Sequence, residues 1–145
     1  MLIFGGSIGR KAVVIVAITM IVLVPIGSIA KEIIERPRPI LHNNSFLIAP
    51  DKEFSFPSGH ALLVSSGAAV MVALFKDSYK KQLVSIGLAI EAALVCFSRV
   101  YVGGHYPLDV IGGILLGVAV AFIFVTLARP ISYQFLQPIS KALKR

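Results

Sequence analysis

From Ala12 to Ala30 the chain runs for 19 residues without a charged side chain. Three further apolar stretches follow, Gly59 to Phe75, Leu83 to about Val102, and Leu108 to Ala128. Crossing about 30 Å of hydrocarbon takes roughly 20 helical residues, so each stretch is long enough or nearly long enough to span a bilayer. With 57% hydrophobic residues, only 14% charged residues and a mean hydropathy of +0.87, the chain does not suit a water-soluble domain of this size. The runs show no period-2 alternation and are rich in Ala, Leu and Ile, which points to helices rather than a barrel. The expectation is an all-α integral membrane bundle of about four transmembrane helices, formed by a single domain over residues 1–145.

Charge supplies an orientation, because Lys and Arg collect in the cytoplasmic loops of membrane proteins. Arg10 and Lys11 precede the first stretch, Lys76, Lys80 and Lys81 fill the second connection, and Arg129, Lys141, Lys144 and Arg145 follow the last. Asp77 is the only acid among them. On the opposite side Lys31, Arg36, Arg38, Lys52 and Arg99 are balanced by Glu32, Glu35, Asp51, Glu53 and Asp109. The net charge of +7 is therefore mostly a topology signal that needs no nucleic-acid partner, and cations facing anionic lipid add anchorage. Tyr79, Tyr101, Tyr106 and Tyr133 all fall beside the ends of stretches, as an interfacial aromatic belt requires. The predicted location is a cell membrane, crossed several times. Arg10-Lys11, an apolar run and Ser28-x-Ala30 also have the form of a secretory signal. Against that stand the length of the run and Pro25 inside it, and a retained helix explains more.

The one long connection, Lys31 to Pro57, contains Pro37, Pro39, Pro50 and Pro57 together with Phe46-Leu47-Ile48, a composition that suits a folded cap on the outer face. The tail after Ala128 suits a short interfacial segment. Cys96, the lone cysteine, reads as a small buried apolar residue.

Chemistry gathers at one end of the apolar stretches. Lys31 and Arg38 lie seven apart, with Pro37 and Pro39 to stiffen the exit; Arg offers paired donors to phosphate oxygens and Lys a point charge. Taken alone, this segment reads first as an ordinary basic flank, although it lies on the wrong side for a topology signal. In Pro57-Ser58-Gly59-His60, Ser58 can cap a helix whose N–H groups point at an anion, Gly59 admits close approach, and His60 projects from the first turn as a candidate proton donor. A capped helix start with an interfacial His is the plain alternative. In the third cluster Ser98-Arg99 is followed by Gly103-Gly104, His105 and, after a Pro107 suited to a first helical position, Asp109. Asp109 is then placed within reach of one imidazole nitrogen, leaving the other for attack.

These blocks resemble the three-part signature of the type-2 phosphatidic acid phosphatase superfamily, which includes bacterial lipid phosphatases and soluble vanadium haloperoxidases. Lys31-x6-Arg38-Pro39, Pro57-Ser58-Gly59-His60 and Ser98-Arg99-x5-His105-x3-Asp109 fill all eleven signature positions in order. The resemblance implies a metal-independent, cofactor-free phosphohydrolase acting on a lipid phosphate. His105 would be the nucleophile that forms a phosphohistidine, Asp109 its orienting carboxylate, and His60 the acid that protonates the leaving oxygen. Lys31, Arg38, Ser58, Gly59 and Arg99 would hold the phosphoryl group, with Ser98, Arg36 and Pro39 in support, and no metal site is implied.

Membrane members of that family commonly have six spans, two of them ahead of the first block, whereas one full span precedes it here. Either the chain is a shortened member or the sequence begins inside a longer protein, and in both cases a partner subunit in a homo-oligomer could supply a missing wall. Gly113-x3-Gly117 permits close packing within the bundle or between chains. The Arg36-Pro37-Arg38-Pro39 and His105-to-Asp109 runs look most like prenyl-diphosphate phosphatases with an extracytoplasmic site, and Arg36 would either meet a second phosphate or pair with Glu32. Phosphatidate or phosphatidylglycerophosphate hydrolysis is the nearest alternative. From another class, a non-catalytic anion-binding protein or transporter would be argued from Glu91, a carboxylate deep in a span and seven residues before Ser98, hence expected to face the site.

Overall fold

The computed structural model describes residues 6–39 and 53–142, with side chains for 8–39 and 53–128. Four helices account for nearly all of it: α1 (Gly6–Ile34), α2 (Gly59–Leu74), α3 (Tyr79–Tyr101) and α4 (Pro107–Ala142). Among the described residues there is no strand. The part of the expected cap between residues 40 and 52 lies outside the described residues, as do His42, Asp51 and Lys52. The backbone of α4 continues as helix past Pro130 and Pro138, where the sequence suggested a separate interfacial tail.

Three helices are long and apolar enough to cross a bilayer, Ile8–Ile34, Tyr79–Tyr101 and Pro107–Ala128, and the chain is a multi-pass membrane protein. The remaining expected span, Gly59 to Phe75, is helix from Gly59 to Leu74, within one residue of the expectation. α2 has 16 residues, about 24 Å at 1.5 Å per residue, because Ser58 caps it at one end and Phe75 closes it at the other. Within the bundle α2 packs against each of the other three helices.

Close packing of α2 on α4 depends on glycine. A Cβ on Gly113 would stand 2.7 Å from the Ser58 carbonyl oxygen, and one on Gly117 would overlap the Leu62 carbonyl. Gly112 lies equally tight under the Phe56 ring. The Gly113-x3-Gly117 pair therefore faces α2 inside the bundle, and the option of a contact between chains is not what occupies it. Apolar clusters fill the remaining contacts: Ile15, Val70, Ala121 and Val125 at one level, and Ala61, Cys96 and Val110 nearer the signature residues. Among the described residues no Cα of α1 lies within 8 Å of one of α3. Between them runs an apolar groove over α2 whose wall includes Val13, Met20, Gly67 and Glu91. Glu91 is thus exposed to this groove instead of facing the signature cluster as its spacing from Ser98 suggested.

Alternating helix directions bring the C-terminal ends of α1 and α3 and the N-terminal ends of α2 and α4 to one end of the bundle. All three signature blocks lie there, while Arg10, Lys11, Lys76, Lys80 and Lys81 belong to the other end.

Candidate active site

Each helix end at the site is closed by its own local chemistry. α1 stops where Glu35 takes a left-handed conformation, φ 48°, while its N–H still bonds the Lys31 carbonyl at 2.9 Å; Pro37 then bars a return to helix. α2 begins at the buried Ser58, whose hydroxyl accepts the Ala61 N–H at 3.5 Å. α3 is followed by Gly103 at φ 73°, a conformation glycine adopts without a Cβ penalty. At the start of α4 the Asp109 carboxylate reaches back to accept the Tyr106 N–H at 2.9 Å, the reciprocal half of a capping box.

Main-chain bonds tie these ends together. The Ser55 N–H donates to the Arg36 carbonyl at 2.8 Å, the Ser58 N–H to the Asp109 carbonyl at 3.0 Å, and the His105 N–H to the Arg99 carbonyl at 3.2 Å. Arg38 adds Nε to the Glu53 carbonyl at 3.0 Å and Nη1 to the Gly104 carbonyl at 2.9 Å.

His105 is buried at the centre of this lacing. Its Nδ1 lies 2.8 Å from the Ser55 carbonyl oxygen, and because a carbonyl only accepts, Nδ1 carries the proton. Nε2 faces Arg38 Nη1 at 3.4 Å and presents its lone pair. Burial, reinforced by the charge of Arg38, holds the imidazole below its ordinary pKa, against an opposing pull from the Ser55 bond and from Asp109. The ring is therefore held neutral in cationic surroundings.

Asp109 does not hydrogen-bond the imidazole directly. Its carboxylate stands 3.7 Å from His105 Nδ1, beyond a hydrogen bond. Instead it accepts the Ser55 hydroxyl, the Tyr106 N–H and Arg36 Nη1 at 2.8 Å. The helix start and the guanidinium claim it first. Arg36 likewise neither pairs with Glu32 nor stands as a solvated charge; its guanidinium also lies 4.4 Å from the Tyr106 ring centroid.

The other signature residues take these places. Lys31, on the last turn of α1, is paired with Glu53, and this bond keeps the Glu53 carboxyl below the usual range. Arg99 turns its guanidinium to the neighbouring Ser98 hydroxyl at 3.3 Å. His60 is exposed on the first turn of α2. A Cβ on Gly59 would meet no atom within 4 Å, so the backbone there borders open space. Pro39 follows Arg38 in extended chain. Sequence reasoning missed Ser55 and Glu53; neither carries a local pattern, and only Ser55's place two residues before Pro57 hinted at involvement.

A family model described as the PAP2 superfamily matches residues 11–132. The chain belongs to the PAP2 superfamily. Among similar PAP2 relatives, an undecaprenyl-diphosphatase of Sulfolobus acidocaldarius is 39% identical over 118 residues, covering 80% of this chain and 55% of the relative. The undecaprenyl-diphosphatase BcrC of Bacillus subtilis is 31% identical, covering 83% of this chain and 60% of its own. The chain thus spans little more than half the length of these two relatives. Among solved structures, a PAP2-type phosphatidylglycerolphosphate phosphatase from Bacillus subtilis superposes with a TM-score of 0.64 at 30% identity, over 85% of this chain and 60% of that one. LpxE of Aquifex aeolicus gives 0.71 at 25% identity, over 86% and 73%.

Proposed function

We propose that this PAP2 protein hydrolyses a lipid phosphate through a covalent phosphohistidine, with a polyprenyl diphosphate as its preferred substrate. The observation that carries the reading is His105, protonated on Nδ1 by its bond to Ser55 and presenting Nε2 beside Arg38. Nε2 attacks phosphorus and forms the N–P bond as the ester or anhydride P–O bond breaks, and His60 protonates the departing oxygen. Water, deprotonated by the same His60, then breaks the N–P bond and releases phosphate. Lys31, Arg38, Arg99 and the N–H groups at Ser58 and Gly59 stabilise the charge on the transferring group. No step calls for a metal ion.

Support for the prenyl substrate comes from the two undecaprenyl-diphosphatases among the relatives. An open groove of about 500 Å³ beside the site, lined by Ile34, Phe56, Leu108, Ile111 and Leu115 with Arg36 at its edge, suits an apolar chain. Likeness to the phosphatidylglycerolphosphate phosphatase supports that substrate as a second reading. The charge pattern at the two ends of the bundle supports an extracytoplasmic site.

Purified protein is expected to release phosphate from undecaprenyl diphosphate in detergent with EDTA present, faster than from phosphatidylglycerophosphate, and to lose the activity on His105→Ala. Activity that survives His105→Ala removes the nucleophile assignment. A faster rate on phosphatidylglycerophosphate moves the substrate to the second reading.

A further inference from the structure

Ser55 is fully buried and each of its three polar groups is used by a different part of the site. Its N–H bonds the Arg36 carbonyl, its hydroxyl bonds Asp109 Oδ2, and its carbonyl takes the Nδ1 proton of His105. Asp109 in turn is clamped by the Arg36 guanidinium. The nucleophile is therefore held by a main-chain oxygen, and the side chains of Ser55, Asp109 and Arg36 hold the segment that carries this oxygen.

We propose that Ser55 and Arg36 are positioning residues of the phosphoryl-transfer reaction, Ser55 aiming His105 through its carbonyl and Arg36 neutralising Asp109. This inference rests on the reading of His105 as nucleophile.

An uncompensated carboxylate 3.7 Å from Nδ1 would draw a proton onto the ring and remove the Nε2 lone pair. With Arg36 paired to it, the carboxylate fastens Ser55 and leaves the imidazole neutral. Among the described residues the charged and titratable groups around His105 are few. Lys31 and Arg38 press on it from α1 and the segment after it, with Glu53 set against Lys31. Asp109 and Tyr106 belong to the start of α4. From α3 Arg99 offers its carbonyl to the His105 N–H while its guanidinium goes to Ser98, and His60 belongs to the first turn of α2. Of these, Asp109 alone favours the imidazolium by its charge, and Arg36 is the cation that pairs with it.

The experiment measures kcat, KM and the pH profile of kcat/KM for Arg36→Gln, Arg36→Lys and Ser55→Ala, with His105→Ala as control. Arg36→Gln is expected to lower kcat by about 10- to 100-fold with KM within about twofold, and to move the acid limb of the profile upward by about one pH unit. Arg36→Lys, which keeps the charge, should restore most of that shift. Ser55→Ala keeps the carbonyl but loosens its anchor, so kcat falls while phosphohistidine can still be trapped at a reduced rate. A raised KM with unchanged kcat and profile in Arg36→Gln would overturn the proposal and make Arg36 a substrate contact. Wild-type kinetics in Ser55→Ala would remove Ser55 from it. Because Arg36 is part-exposed at 31%, its variants decide the matter even where Ser55→Ala does not fold. Full activity in His105→Ala would instead defeat the nucleophile assignment, a result distinct from either of these.

Discussion

His105 meets Ser55 through one nitrogen and Arg38 through the other, and the two contacts act on its protonation in opposite senses. Burial and Arg38 prevail, so the folded protein holds the ring neutral at pH values where a free imidazole, with a pKa of about 6.5, is partly charged. On the proposed mechanism this extends the competent form to lower pH. The acid limb of kcat/KM, corrected for substrate ionisation, is expected below about pH 6.5; a limb above that value would contradict the balance of contacts described. For stability the sign is the reverse of a salt-bridged histidine. As pH falls through the ordinary imidazole value the unfolded chain takes up its proton first, and the folded state loses stability from there downward.

At the scale of elements, the bundle turns on how near α4 can come to α2. Gly113 and Gly117 allow it, and each would drive a Cβ into α2 backbone, whereas Gly87 on α3 has nothing within 4 Å of an added Cβ. Gly117→Ala is expected to cost about 1–3 kcal/mol by overpacking, while Gly87→Ala gains about 0.5–1 kcal/mol from helix propensity. Thermal unfolding in detergent should show the two shifts with opposite signs. Helix starts were legible in the chain because they rest on local chemistry: Ser58 as a cap and Pro107 at a first helical position. The length of α2 was legible too, since the apolar run ends at Phe75, the residue that closes the helix, although apolarity tells nothing of the neighbours packed on it. Nor could spacing foretell that Asp109 would be taken by Arg36, a partner 73 residues away, or that the oxygen facing His105 would come from main chain, which no side-chain pattern marks. Glu91 misled for a similar reason, because its heptad spacing from Ser98 places it on a helix face without saying which neighbour covers that face.

Across the whole molecule, helix polarity sorts charge as well as chemistry. Arg10, Lys11, Lys76, Lys80 and Lys81 stand at one end, and the end with the signature residues carries acids among its cations. In a Cys96→Ala background, cysteine placed at Glu53, on the site end, is expected to react with a membrane-impermeant maleimide applied to intact cells, and cysteine placed at Lys80 only after lysis. The opposite pattern would turn the site inward. Glu53 itself carries a consequence for how the site fills. Its side chain is 70% exposed at the mouth while it holds Lys31, so the cation assigned to phosphate arrives already neutralised. On the proposed function, loading the site is then an ion exchange in which the incoming phosphate displaces a carboxylate that the chain supplies as its own counterion, and the electrostatic gain of binding is the difference between two anions competing for one ammonium group.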